Sequence, residues 1–154
     1  MSGTIVDPMW GRKDLAGLFG VRTPAARDLL PDYREETRLA AALRAHAPLV
    51  AYPFLRVELE RLAAETDAHA EALAGLLRAE GIDPLPADDA QISRHPLAIR
   101  NLDEDMNALK RRIARYRNLA NRAPRPLGDL VGRILADKLR HEATLVAVVV
   151  RIVR

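Results

Sequence analysis

The chain has 154 residues, enough for one domain with a well-buried core, and its 49% apolar and 29% charged residues are those of a folded globular chain. It has no cysteine, which excludes disulfides, thiolate metal sites and thiol chemistry. No stretch approaches the ~18 apolar residues of a membrane span and the first residues carry no apolar signal core, so a cytoplasmic protein without a membrane partner is expected.

Net charge is only +3, with a pI near 9.7 because arginine greatly outnumbers lysine. Most arginines stand beside acids, so a nucleic-acid partner is not expected. Aromatic residues make up 4%, which disfavours a β-sheet, while the abundant Ala, Leu and Arg suit helices packed on one another.

Residues 1–31 read as an N-terminal extension. It holds Trp10 with Met9, Leu15, Leu18 and Phe19 nearby, a segment that either caps the domain or docks on a protein partner. Thr23-Pro24 reads as the cap and first residue of a short helix ending near Leu30. Residues 32–154 are then divided by proline, which is excluded from helix interiors.

The proline-free runs and their hydrophobic spacing predict four helices: α1 (about 32–50), α2 (53–80), α3 (97–121) and α4 (126–152). In α1 the inward row is Glu36, Leu39, Leu43, His46 and Val50. In α2 it is Leu55, Leu59, Leu62, Thr66, His69, Leu73 and Leu76, and Gly81 is placed to cap the end. Residues 81–96, with three prolines, form a long connection. In α3 the row is Leu102, Met106, Leu109, Ile113, Tyr116 and Ala120. Lys110, Arg111, Arg112, Arg115 and Arg117 read there as a solvated basic face.

In α4 the row is Leu127, Val131, Ile134, Lys138, His141, Leu145 and Val148. Gly128-x-x-x-Gly132 is a weak signal for close approach to a neighbouring helix. The end of α4, LVAVVVRIVR, is apolar on more than one face, which points to a homodimer or larger assembly. Alternating steps of four and three are those of helices crossing at shallow angles. The expected fold is an all-α antiparallel four-helix bundle: two short-linked hairpins joined by a long crossover.

α2 and α4 repeat one another at an offset of 72 residues: Arg61, Leu62, Ala64, Glu65, His69 and Leu73 map onto Arg133, Ile134, Ala136, Asp137, His141 and Leu145. This reads as a duplicated hairpin. Both rows are broken by polar pairs, Thr66/His69 and Lys138/His141, where burial is costly unless partnered. Folding each hairpin on its short turn brings Glu36 level with His69 and Asp105 level with His141. One layer is therefore expected to gather Glu36, Thr66, His69, Asp105, Lys138 and His141, with Glu65 and Asp137 on its flank.

On LAAETDAHAEAL (62–73) and ILADKLRHEATL (134–145) the chain resembles the ferritin-like superfamily, the rubrerythrin and bacterioferritin kind of bundle. The resemblance covers about residues 32–152. It implies a pair of metal ions held by one Glu from each of two helices and a Glu-x-x-His from each of the other two. His69 and His141 fall on the family histidines, and Glu36 and Asp105 are the nearest matches to the single carboxylates. Thr66 and Lys138 stand where the other two glutamates belong, and Lys138 would set an ammonium near the place of a metal ion. Glu65 and Asp137, one turn before the histidines, are the residues placed to rescue an iron or manganese site.

Three arrangements follow: a two-metal site, a single ion, or a metal-free polar layer. They correspond to two functions. One is a bundle that has lost its di-iron chemistry and works as a binding or structural, oligomerising module with no cofactor and no enzymatic role. The other is an iron- or manganese-dependent oxidoreductase or storage protein with an altered site.

Overall fold

The computed structural model describes residues 26–85 and 92–154, which are helical with no strand among them. The four long helices are α1 (Leu30–His46), α2 (Pro53–Ala79), α3 (Ala98–Arg122) and α4 (Leu127–Ile152). A 3-10 turn, Ala26–Leu29, leads straight into α1, and Pro31 sits in its first turn, where a missing N–H costs nothing. The proposed helix start at Thr23-Pro24, and Trp10 with its apolar neighbours, lie outside the described residues.

α1 ends earlier than its apolar row suggests. Pro48 cannot donate to the α-ladder, and Ala47–Leu49 form a second 3-10 turn. Val50 nevertheless stays in the core. α2 ends as expected at Gly81, whose φ of 76° is left-handed. Its N–H donates to the carbonyl of Arg78 and that of Ile82 to the carbonyl of Leu77, the paired bonds of a Schellman cap.

α1 packs along α2 and α3 along α4, while α1 also meets α3 and α2 also meets α4. The expected rows are buried along α1 and α4. In α2 the last position moves from Leu76 to Leu77, because a helix of 3.6 residues per turn drifts off a strict 3.5 repeat. In α3 a second row, Asp105, Arg112 and Leu119, is buried beside the expected one, so Ala120 is only half-buried.

The core is divided in two. One apolar cluster holds Leu39, Leu43, Leu59, Leu62, Leu109 and Leu145; the other holds Leu29, Leu73, Leu77, Leu119, Val131 and Ile134. Glu36, Thr66, His69, Lys138 and His141 lie buried between them in sequence and along each helix, with Arg112 beside them on α3.

The glycine pair of α4 does not form a helix contact. A methyl group on Gly128 would meet the carbonyl oxygen of Ala123 at 2.7 Å, within the α3–α4 turn, whereas one on Gly132 would meet nothing. Gly128→Ala should therefore cost roughly 1–2 kcal/mol, while Gly132→Ala should add up to about 1 kcal/mol by helix propensity. Urea titration of both variants at low protein concentration checks the opposite signs.

Candidate functional site

The centre of the bundle is an ion pair. Lys138 of α4 and Glu36 of α1 are both 0% exposed, with Nζ 2.5 Å from Oε2. Nζ also donates to Thr66 Oγ1 at 3.3 Å. The other carboxylate oxygen of Glu36 accepts from the Tyr116 hydroxyl at 2.6 Å and from Arg112 Nε at 3.4 Å. Oε2 has no aligned hydrogen bond, so it is held by the ammonium's charge. Burial pulls the Lys138 pKa below its ordinary value, and the Glu36 carboxylate offsets part of that. Burial together with the Glu36 charge pushes the Tyr116 phenol well up, so it stays a donor.

Arg112 extends this centre to Asp32, which also takes Arg115 at 3.1 Å. The basic face expected on α3 is thus only partly solvated. Arg112 is buried on Asp32 and Glu36 and lies over the Tyr116 ring, while Lys110, Arg111 and Arg117 are exposed. The cause is position: Arg112 stands seven residues after Asp105, on the row that faces α1.

A second group lies between α2 and α4. His69 Nε2 is 2.8 Å from Asp137, and His141 Nε2 is 2.6 Å from Glu65. The two rings stack with centroids 5.7 Å apart. Each histidine thus takes the acid four residues ahead of the other one, so the 72-residue repeat becomes a crossed pair of equivalent bonds. Burial lowers the His141 pKa, with the Glu65 bond opposing it, so the neutral ring donates Nε2–H. Burial raises Glu65 and Asp137, but the histidine bonds and nearby arginines outweigh it and hold both below the usual carboxylate range. Nδ1 of His69 is buried with no hydrogen-bond partner among the described residues.

Asp105 keeps the level expected of it but not the partners. It lines a small internal cavity, about 10 Å³, together with Thr66 and His141, so its level is as expected. Its carboxylate, however, goes to His46 Nδ1 at 2.7 Å, and His46 Nε2 contacts the Ser93 carbonyl at 2.7 Å. His46 is therefore a partnered core histidine that ties the long connection to α1. Asn101, buried and absent from the sequence reading, does the same for His95, accepting from its N–H and donating to its carbonyl.

Comparison with protein-family models, with curated proteins and with solved structures finds no match.

The six residues expected to share a metal are drawn to different partners. Glu36 goes to Lys138, Tyr116 and Arg112, Asp105 to His46, and Glu65 and Asp137 each to one histidine. Among the described residues, no three His, Asp or Glu side chains are grouped to hold a metal ion. The donor set therefore does not fit the pair of ions that the resemblance implies. The physical reason is Lys138: its ammonium occupies the charge-neutralising position beside Glu36.

Two outcomes follow. Lys138→Ala should destabilise by about 3–5 kcal/mol because it strands a buried carboxylate, and Lys138→Met, which keeps the volume, should cost less. Thermal and urea unfolding of both, with Glu36→Gln/Lys138→Met to close the cycle, measure the pair. The second outcome concerns pH. Burial raises Asp105 to about 6, with its His46 bond pulling it part of the way back. A raised carboxylate stabilises the fold when protonated, so its contribution is complete near pH 4 and lost as pH rises through about 6. The stability of the parent minus that of Asp105→Asn should fall by about 2–3 kcal/mol over this window and level off above it. A flat difference would show that Asp105 titrates normally.

Proposed function

We infer that this chain is an antiparallel, ferritin-like bundle whose metal layer has been replaced by fixed charge pairs. It works as a binding or structural module that assembles with itself. The observation that carries the reading is the Lys138–Glu36 pair, two charges with no access to water in the layer where the resemblance calls for metal. An ammonium there supplies the positive charge that an ion would have supplied, and it does so permanently. The crossed His–carboxylate pairs leave both histidines bonded through Nε2 to an acid.

The order of pairing supports the antiparallel topology. From α1 to α3 the pairs run His46–Asp105, Glu36–Arg112 and Asp32–Arg115, with one number falling as the other rises. Between α2 and α4, Glu65–His141, Thr66–Lys138 and His69–Asp137 run likewise. Exposed apolar residues on α4, including Val146, Val150 and Val153, support assembly.

One observation favours the second reading, an altered iron or manganese site: the buried Nδ1 of His69 lacks a partner. Elemental analysis separates the two. Protein grown with iron and manganese supplied should carry well under one ion per chain after gel filtration. Two ions per chain, retained through dialysis, would overturn the structural reading. Sedimentation velocity at micromolar concentration should show a dimer or larger species; a monomer at every concentration tested would remove the assembly part.

A further inference from the structure

α4 carries two apolar rows, and only one of them is buried among the described residues. The inner row is Leu127, Val131, Ile134, Lys138, His141, Leu145 and Val148, all buried. The outer row is Gly132, Ala136, Leu139, Ala143, Val146, Val150 and Val153. Its steps are four, three, four, three, four and three, and every member is exposed, with Leu139 at 38%, Val146 at 48% and Val150 at 40%. A solvated face needs no such rule. A 3.5-residue apolar repeat is what a helix presents to another helix, because only then does the row stay turned toward its partner.

We propose that the outer row of α4 is the contact between two copies of this chain, packed antiparallel about a two-fold axis that passes between Ala143 and Val146. The proposal rests on the assembly reading above and specifies its surface. The size gradient of the row selects the occupant and its direction. Small residues stand at the start, Gly132 and Ala136, and larger ones at the end, Val146, Val150 and Val153. A parallel copy sets small against small at one end and large against large at the other, which wedges the helices apart. An antiparallel copy sets Ala136 against Val153 of the partner subunit, Leu139 against Val150 of the partner subunit and Ala143 against Val146 of the partner subunit. The two-fold axis repeats all three layers, so every layer of the contact includes a Val.

The flanks agree. In this register Arg140 is level with Val149 of the partner subunit and Glu142 with Ala147 of the partner subunit, so no like charges meet near the axis. A partner lying here also covers the adjoining groove of about 410 Å³, where Val146, Val149 and Val150 meet Ile99 and Met106 of α3. The facing stretch, Ala136 to Val153, spans about 27 Å at 1.5 Å per residue. With a strip roughly 10 Å wide it covers about a third of the ~800 Å² per partner of a standard interface.

The chain has no cysteine, so single cysteines report the geometry directly. Ala143→Cys, beside the axis, should form a disulfide-linked dimer under mild oxidation. Leu139→Cys and Val150→Cys should each remain unlinked alone and cross-link when mixed, since a disulfide needs Cα atoms within about 7 Å. Val146→Glu, at an exposed position, should keep the helical circular dichroism and raise the dimer dissociation constant at least tenfold in sedimentation equilibrium. Efficient linking of Leu139→Cys alone would overturn the antiparallel arrangement. A dimer untouched by Val146→Glu would overturn the surface while leaving self-assembly intact. A parent protein that is monomeric at every concentration would remove both.

Discussion

Everything in this structure is arranged around an ammonium and a carboxylate that have no access to water. Moving either charge out of water costs several kcal/mol, and their attraction returns that only if the geometry is close and the remaining valences are met. The surroundings meet these terms. Lys138 reaches Glu36 across the bundle from α4 to α1, Thr66 supplies an acceptor from α2, and Tyr116 and Arg112 supply donors from α3. All four helices thus contribute to one layer. The apolar halves on either side are built mostly of Leu, Ala and Val, which fit many registers nearly as well. A helix that slid by one turn would keep its apolar contacts and leave a charge unpaired. The layer therefore selects the level at which the helices meet.

The second group of buried polar residues shows the internal repeat as geometry. Glu65 and His69 on α2 correspond to Asp137 and His141 on α4, and each histidine bonds the acid of the other helix. Two stacked imidazoles tolerate one another when neutral, and burial favours that state for His141. The acids keep their charge because the histidines bond them and arginines stand beside them: Arg61 by Glu65 and Arg140 by Asp137. Each Nε2 is thus bonded within the motif, while Nδ1 of His69 is buried with no hydrogen-bond partner among the described residues.

Periodicity made the helices, their inward rows and the height of the polar layer legible in the sequence. Spacing reports which residues turn inward, and most of those rows are buried as read. It does not report which inward neighbours choose one another. Asp105 was placed at the correct level but assigned to a shared metal layer, because His46, 59 residues away, gives no spacing signal for its competing bond. From the sequence Arg112 reads as solvated because its neighbours Lys110 and Arg111 are. The available signal was its seven-residue step from Asp105, which puts it on the same buried row. Asp32 was missed for a related reason: an acid at the start of a helix is ordinarily explained by the helix dipole. Leu76 and Leu77 exchange places because the repeat was read as strict heptads along a helix that is not supercoiled tightly enough to hold them.

α4 joins the inner layer to the outer surface. Its two apolar rows are parts of one rigid helix, and a change of one residue in register turns a helix by about 100°. Lys138 lies in the inner row and Leu139 in the outer one, so the contact that seats Lys138 against Glu36 also sets the direction in which Leu139, Val146 and Val150 point. Without a unique polar partner, α4 would find several rotations of similar energy, since apolar residues occupy much of its circumference. Each rotation would present a different strip to solvent. A buried ion pair is weak as a source of stability but strong as a selector, and here the quantity it selects is the rotation of α4. That gives the charge pair a use that stability alone does not: it holds the outer row of α4 in a single orientation.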